Sequence, residues 1–290
     1  MPLSRVRYRV RGMQRKRFVL VMASALGALS CGGTSPARAG IAPEDARVAA
    51  AVSALRGIFA EAALADAAGP DTAGAIEAAI RAAPDRFFEL VAAAAAESAA
   101  EGGLLAIVDK ASALPPDYEP GDLVSLNDYP LAATRKDLRI RKAVAEAALR
   151  MDAAARADGV RLQFASAYRS YEYQDGLFKR YAASYGEEEA SRFSARPGKS
   201  QHQLGTAFDF APIDDGFAET KAGAWTKDNA ARFGFSMSYP EGMEPITGYV
   251  WESWHFRYVT RAGAALEREY FGGVQRYMLE FLAAYGKAAP

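Results

Sequence analysis

The sequence predicts an α+β fold: a small antiparallel sheet with flanking helices, preceded by an alanine-rich helical region. Three observations carry that expectation. Residues 41–114 are dense in alanine with apolar residues at helical spacing, whereas 160–166, 206–211, 235–239 and 249–259 are short β-type runs. The last two runs are joined by a turn-rich segment that a hairpin explains. The composition, 50% apolar and 24% charged over 290 residues, is that of an ordinary globular chain with one large domain or two modest ones. It excludes a collagenous, a wholly disordered or a polytopic membrane protein.

Residues 1–39 stand apart from the rest. They hold eight basic residues (Arg5, Arg7, Arg9, Arg11, Arg15, Lys16, Arg17 and Arg38) and no acid, in a chain whose 35 Lys+Arg balance 35 Asp+Glu. An apolar run over 18–29 follows the first seven, and Ala37-Arg38-Ala39 closes the segment. A positive region, a short apolar region and an A-x-A site describe a secretory signal peptide. The apolar run is shorter than the roughly 20 residues that span a bilayer. Met13 gives a better-proportioned start than Met1. The single cysteine, Cys31, follows Ala28-Leu29-Ser30, an imperfect lipoprotein-type cleavage box, so an acylated Cys31 is the other route to the cell envelope. Either way the mature chain has no disulfide and no thiol nucleophile. Without the leader, 27 of the 35 basic residues face all 35 acidic ones, a net charge near −8. That balance argues against a nucleic-acid partner. The expectation is an exported monomer in the periplasm or cell envelope, touching the membrane only through a lipid on Cys31.

The elements follow in order. Pro43-Glu44-Asp45 opens a helical pattern to about residue 68, with Val48, Val52, Leu55 and Phe59 on one side. Gly69-Pro70 breaks it, Asp71 is placed to cap a second short helix, and Pro84-Asp85 starts a third that ends at Gly102-Gly103. So much alanine implies thin burial per turn and loose packing. A proline-stiffened linker, 114–120, leads into a long helix over 136–158, stopped by Gly159. Further helices are expected over 171–185 and 224–233. A loop is expected over 194–200, and a strand over 206–211 with Asp209 on its small-residue face. A final helix, 274–285, carries Tyr277, Met278, Phe281 and Leu282 as a stripe that packs against the domain.

The chain contains only two histidines, His202 and His255, each within a segment rich in polar and aromatic residues. A buried histidine is more often a structural hydrogen-bonder than a ligand. Here each has a carboxylate at a short offset. Gly205 permits a tight turn after His202, Asp209 returns on a short strand, and His255 arrives from a separate strand. Two nitrogens and one oxygen leave a fourth position open, the catalytic arrangement for Zn2+, which lowers the pKa of a bound water to about 7. Glu252 is the candidate base, under one condition. Residues three apart in a regular strand face opposite sides, so the chain must bend near Ser253. Upstream, Ser166, Tyr168 and Arg169 leave a strand end together, a grouping suited to a carboxylate or a developing oxyanion; a surface salt bridge is the bland alternative for Arg169. Serine-type carboxypeptidase chemistry needs an S-x-x-K motif and zincin chemistry needs H-E-x-x-H; the sequence has neither.

Three motifs in this order resemble the zinc D-alanyl-D-alanine carboxypeptidase family of VanY type, related to bacterial L,D-carboxypeptidases. They are Tyr168-Arg169-Ser170 with Gln174, Ala195-Arg196-Pro197-Gly198 before Ser200-x-His202-Gln203-x-Gly205-x-Ala207-x-Asp209, and Glu252-x-Trp254-His255-Phe256-Arg257-Tyr258. The resemblance spans roughly 118–259. It implies His202, Asp209 and His255 as zinc ligands, Glu252 as the catalytic base, and Arg169 as the group on the scissile carbonyl or the substrate carboxylate. It also implies Ser166, Gln174 and Ser200 near the substrate, a peptidoglycan stem peptide that loses a terminal D-Ala across a D,D or an L,D bond. Family members often have Pro where Ser253 stands and a basic residue where Ser238 stands, so the bend is less enforced and the substrate contacts are altered. The organisation expected is a signal peptide over 1–39, or a lipoprotein signal ending before Cys31, and an alanine-rich helical region over 40–115. A zinc carboxypeptidase domain follows over 116–262, and then a C-terminal helix over 263–290 packed on it. The alternative is a non-catalytic zinc-containing cell-wall binding module.

Overall fold

Val48, Val52 and Leu55 do close one face of α1 (Ala46–Ala60) in the computed structural model, which describes residues 45–60 and 71–288. The leader, Cys31 and the Gly69-Pro70 break lie outside the described residues. Helix α2 (Thr72–Ala82) follows Asp71, which stands at the N-cap position but makes no side-chain cap bond. Its ψ of −2° is already helix-like, whereas a capping side chain reaches its amide from an extended backbone. Helix α3 (Pro84–Ala100) has Pro84 in its first turn, where the missing N–H would have no partner anyway.

The alanine-rich helices are not loosely packed. Ala51 and Ala94 are fully buried, and the space that their small side chains leave is filled by aromatic residues from the other end of the chain. Those come from α9 (Arg261–Tyr270) and α10 (Gln275–Ala288). Phe87 on α3 is 4.9 Å from the Tyr270 ring and 5.4 Å from the Phe281 ring, centroid to centroid, and Phe59 on α1 is 4.9 Å from Tyr277. The stripe on the last helix thus faces α1 and α3, a partner that local periodicity cannot reveal. Replacing Phe87, fully buried at the centre of this cluster, with Ala is expected to cost about 3–5 kcal/mol. Urea unfolding should show the loss as a lower midpoint at unchanged slope.

A second core surrounds the sheet. Strands β1 (Leu123–Ser125) and β2 (Arg139–Arg141) form an antiparallel pair, with Val124 opposite Ile140. The long helix expected from residue 136 therefore begins only at Lys142, as α4 (Lys142–Ala157). Ile140 is drawn into the pair by full burial, and Arg141 Nε donates to Asp122 Oδ1 at 2.8 Å. Next come β3 (Phe164–Ser166), α5 (Tyr171–Tyr185), α6 (Glu187–Phe193), β4 (Ala207–Phe210), α7 (Lys221–Asn229), β5 (Phe235–Met237), α8 (Glu244–Thr247) and β6 (His255–Tyr258). Helices α6 and α8 were not expected from the sequence, and the single helix expected over 263–290 is two, α9 and α10, separated at Gly272-Gly273.

The four-stranded sheet has the order β3-β4-β6-β5, antiparallel throughout, and the last two strands pair as the hairpin reading requires. Phe164, Phe208, Phe210, Phe235 and Phe256 are buried on it. Arg257 on β6 is fully buried, and its Nη2 donates to the carbonyls of Leu104 and Ala106 at 2.8 and 2.7 Å. Leu114 N–H donates to the Gly198 carbonyl at 2.8 Å, and Gln203 Nε2 donates to the Pro115 carbonyl at 3.1 Å. The segment read as a linker is therefore stitched to the loop that precedes His202. Among the described residues no helix is long and apolar enough to cross a membrane.

Candidate metal centre

Sheet register builds the site. Asp209 on β4 lies directly opposite Ser166 on β3 and His255 on β6, so these three share one row and one face. Cross-strand neighbours have Cβ atoms about 4.5–5.5 Å apart, close enough for a carboxylate and an imidazole to meet. His202 is brought to the same face by a 3-10 turn, Gln201–Leu204, that ends at Gly205. Gly205 has φ +66°, and a Cβ there would lie 2.9 Å from Arg141 Cγ, so a larger residue would displace the turn. Ser200 caps the turn, its hydroxyl accepting from His202 N–H at 3.3 Å.

His202, Asp209 and His255 are all buried, and one ligand atom of each lies within 4.8 Å of the others. Each imidazole has its outward nitrogen fixed by an acceptor. His202 Nδ1 is 2.7 Å from the Ala167 carbonyl, so Nδ1 carries the hydrogen and Nε2 turns a lone pair inward. His255 Nε2 is 3.2 Å from Gln201 Oε1, which leaves Nδ1 with a lone pair 2.9 Å from Asp209 Oδ1. His255 Nδ1 and Asp209 Oδ1 are then two acceptors facing each other at 2.9 Å, a repulsive arrangement that a shared cation makes attractive. Two ligand atoms about 2.1 Å from one zinc ion at the tetrahedral angle stand about 3.4 Å apart, and His202 Nε2 is 3.3 Å from Asp209 Oδ2. The donor set therefore fits a divalent metal. Burial, then the nearby Arg169 charge, brings His202 down to about 4, which keeps the ring in its neutral, ligating form.

Glu252 meets the condition set by its spacing. The chain turns before β6, with His255 N–H donating to the Glu252 carbonyl at 3.3 Å, and Glu252 Oε2 comes within 3.8 Å of His255 Nδ1. The turn does what a strand could not, placing residues 252 and 255 on one side. Burial and the Asp209 charge push the Glu252 carboxyl well above its ordinary value, with Arg169 opposing.

Arg169 points into the same space. Its Nη2 is 2.9 Å from Asp209 Oδ2 and 2.7 Å from His202 Nε2. Its Nε donates to Ser166 Oγ at 3.1 Å and its Nη1 to Gln174 Oε1 at 3.0 Å, while Gln174 is itself anchored by donating to the Ala195 carbonyl at 2.7 Å. Ser166 and Gln174 thus orient the guanidinium, and Ser200 orients the His202 turn. Tyr168 is not brought to the group; its hydroxyl donates to Glu119 Oε2 at 3.3 Å and Arg139 lies over its ring. Sequence reading missed Gln201 and Tyr239. The Tyr239 ring stacks on His255 at 4.9 Å and 28°, and its partner Tyr249 lies 4.7 Å beyond. The only sequence signal for Gln201 was its place beside His202.

A mixed α/β domain holding a buried His/Asp/His group beside an arginine and a carboxylate defines a metal-dependent hydrolase class. The comparisons with known proteins narrow it. The sequence model of the family described as "VanY: D-alanyl-D-alanine carboxypeptidase" matches residues 137–261. YodJ of Bacillus subtilis (strain 168) is 39% identical over 169 residues, 56% of this chain. The match spans 62% of that relative's length. A solved LdcB LD-carboxypeptidase is similar with a TM-score of 0.54 and 36% identity, over 59% of this chain and 87% of that one. A vancomycin-resistance D,D-pentapeptidase VanY solved in complex with Zn(II) gives a TM-score of 0.50 and 30% identity, over 61% of this chain and 98% of that one. The chain belongs to the VanY-type D-alanyl-D-alanine carboxypeptidase family, a family of metallocarboxypeptidases.

Proposed function

We propose that this protein is a zinc-dependent carboxypeptidase that removes a terminal D-Ala, or a similar D-residue, from peptidoglycan stem peptides. The observation that carries the reading is the convergence of His202 Nε2, Asp209 and His255 Nδ1, each in its ligating form, with Glu252 and Arg169 beside them. The relative solved with Zn(II) supports the choice of metal. Zinc would be held by these three residues and would supply a Lewis acid for the scissile carbonyl and for the attacking water. Glu252 takes the proton of the attacking water on its carboxylate and hands it to the departing amine nitrogen. Arg169, held by Ser166 and Gln174, donates toward the carbonyl oxygen as that oxygen gains charge.

The deciding experiment incubates the zinc-loaded mature protein with a stem pentapeptide and a stem tetrapeptide and follows both by mass spectrometry. Loss of one D-Ala, abolished by a chelator and restored by zinc, is the expected result. Stoichiometric zinc without shortening of either peptide would instead establish a cell-wall binding module. We also propose that the protein is exported and works in the cell envelope as a monomer, with 1–39 as its signal, 40–115 as a helical region, 116–262 as the zinc domain and 263–290 as the segment of the C-terminal helices. The mass of the mature N-terminus separates cleavage after Ala39 from an acylated Cys31.

A further inference from the structure

His255 is held from behind by a chain of buried polar groups that runs out of the sheet into the C-terminal helices. Gln201 Oε1, which accepts from His255 Nε2, also accepts from Ser238 Oγ at 2.7 Å. Gln201 Nε2 donates to Gln275 Oε1 at 3.2 Å. Gln275 Nε2 in turn donates to Ser236 Oγ at 3.0 Å and Ser238 Oγ at 3.1 Å, and Ser236 Oγ donates to Glu267 Oε1 at 2.9 Å. Gln201, Ser236, Ser238, Glu267 and Gln275 are all buried. Gln275 is the first residue of α10 and Glu267 belongs to α9; both lie beyond the residues 137–261 that the family shares.

The chain has a direction, and the direction matters. A carboxyl oxygen such as Glu267 Oε1 accepts, so Ser236 must give its hydrogen to Glu267 and receive one from Gln275. That turns the Gln275 amide so that its Oε1 meets Gln201 Nε2. The Gln201 Oε1 then faces His255, which can satisfy it only by carrying a hydrogen on Nε2. Nδ1 is left with its lone pair toward Asp209. Reversing one amide would present N–H to His255 Nε2 and move the ring hydrogen to Nδ1, the nitrogen that must ligate. Burial pushes the Glu267 carboxyl up to about 7; a neutral carboxyl protonated on Oε2 still offers Oε1 as an acceptor.

We propose that Gln275 and Glu267 are positioning residues that fix the tautomer and orientation of His255 through Ser236, Ser238 and Gln201, making the C-terminal helices part of the metal site. The inference rests on the reading of His255 as a metal ligand, and the experiment separates the two. Zinc dissociation constants are measured by chelator competition on the full mature protein and on its Gln275→Leu, Glu267→Met, Met278→Ala and His255→Ala variants, with a thermal midpoint for each. Interactions behind metal-ligating histidines change affinity by about 10–100-fold, so Gln275→Leu should weaken zinc binding by about tenfold or more. Glu267→Met, which has the length of the glutamate but no acceptor for the Ser236 hydrogen, frees that hydroxyl to reverse and should weaken binding in the same direction. Met278→Ala, fully buried on the same helix, should lower the midpoint and leave zinc affinity alone. If Gln275→Leu does not fold, Glu267→Met decides. Wild-type zinc affinity in Glu267→Met and in any folded Gln275→Leu overturns the proposal. Undiminished affinity in His255→Ala overturns the metal-ligand reading instead.

Discussion

Replacing Glu252 with Gln is expected to slow the release of terminal D-Ala by about 10²–10⁴-fold, the usual contribution of a positioned general base, while zinc content and thermal midpoint stay at wild-type values. The carboxyl belongs to a turn whose backbone is held independently of the side chain, by Glu252 N–H on the Tyr239 carbonyl at 3.1 Å and His255 N–H on the Glu252 carbonyl at 3.3 Å. An amide of the same shape therefore leaves that turn intact. What it cannot do is accept a proton. Glu252 is also not one of the three groups that converge on the metal position, so the metal should remain. Steady-state D-Ala release beside metal analysis checks both halves. A Glu252→Gln or Glu252→Ala protein with bound zinc and full activity would remove Glu252 from the mechanism. Loss of zinc together with activity would make it a ligand instead.

That prediction was legible in the sequence only as a condition. The spacing of 252 and 255 is wrong for one strand face, and the structure meets the demand with a turn that ends where β6 begins. His202, Asp209 and His255 were legible because their residue types are scarce and their offsets short. Their meeting depends on cross-strand register, which places Asp209 opposite His255 and which no local pattern encodes. The same limit explains the helices. Each apolar stripe was visible, but the stripe on α10 looked like packing on the sheet domain, while its partners are the alanine-rich faces of α1 and α3 near the other end of the chain. The β1–β2 pair was hidden because Arg139–Arg141 continues a helical pattern, and only pairing with Leu123–Ser125 overrides it. The groups behind His255 were the least legible, since Gln275 and Ser236 are ordinary residues until their neighbours are known.

Arg169→Lys is expected to lower kcat by about 10²–10³-fold, the cost of removing one preorganised donor from a developing oxyanion, with KM little changed. Lysine keeps the charge, so a purely electrostatic role would survive the substitution. The guanidinium here is used as a shape: Nε to Ser166, Nη1 to Gln174 and Nη2 toward Asp209 are three directed bonds from one plane. An ammonium on a flexible stem cannot satisfy Ser166 and Gln174 while still aiming a donor at the centre. The alternative is that Arg169 grips the free carboxylate of the substrate. That contact is the same in ground state and transition state, so its loss would raise KM and spare kcat. The two readings therefore part cleanly in a single set of initial-rate measurements. Gln174→Leu provides the companion. If Gln174 acts by holding Nη1, its loss should shift the same parameter as Arg169→Lys by a smaller factor. A change in the other parameter would mean that Gln174 meets the substrate itself.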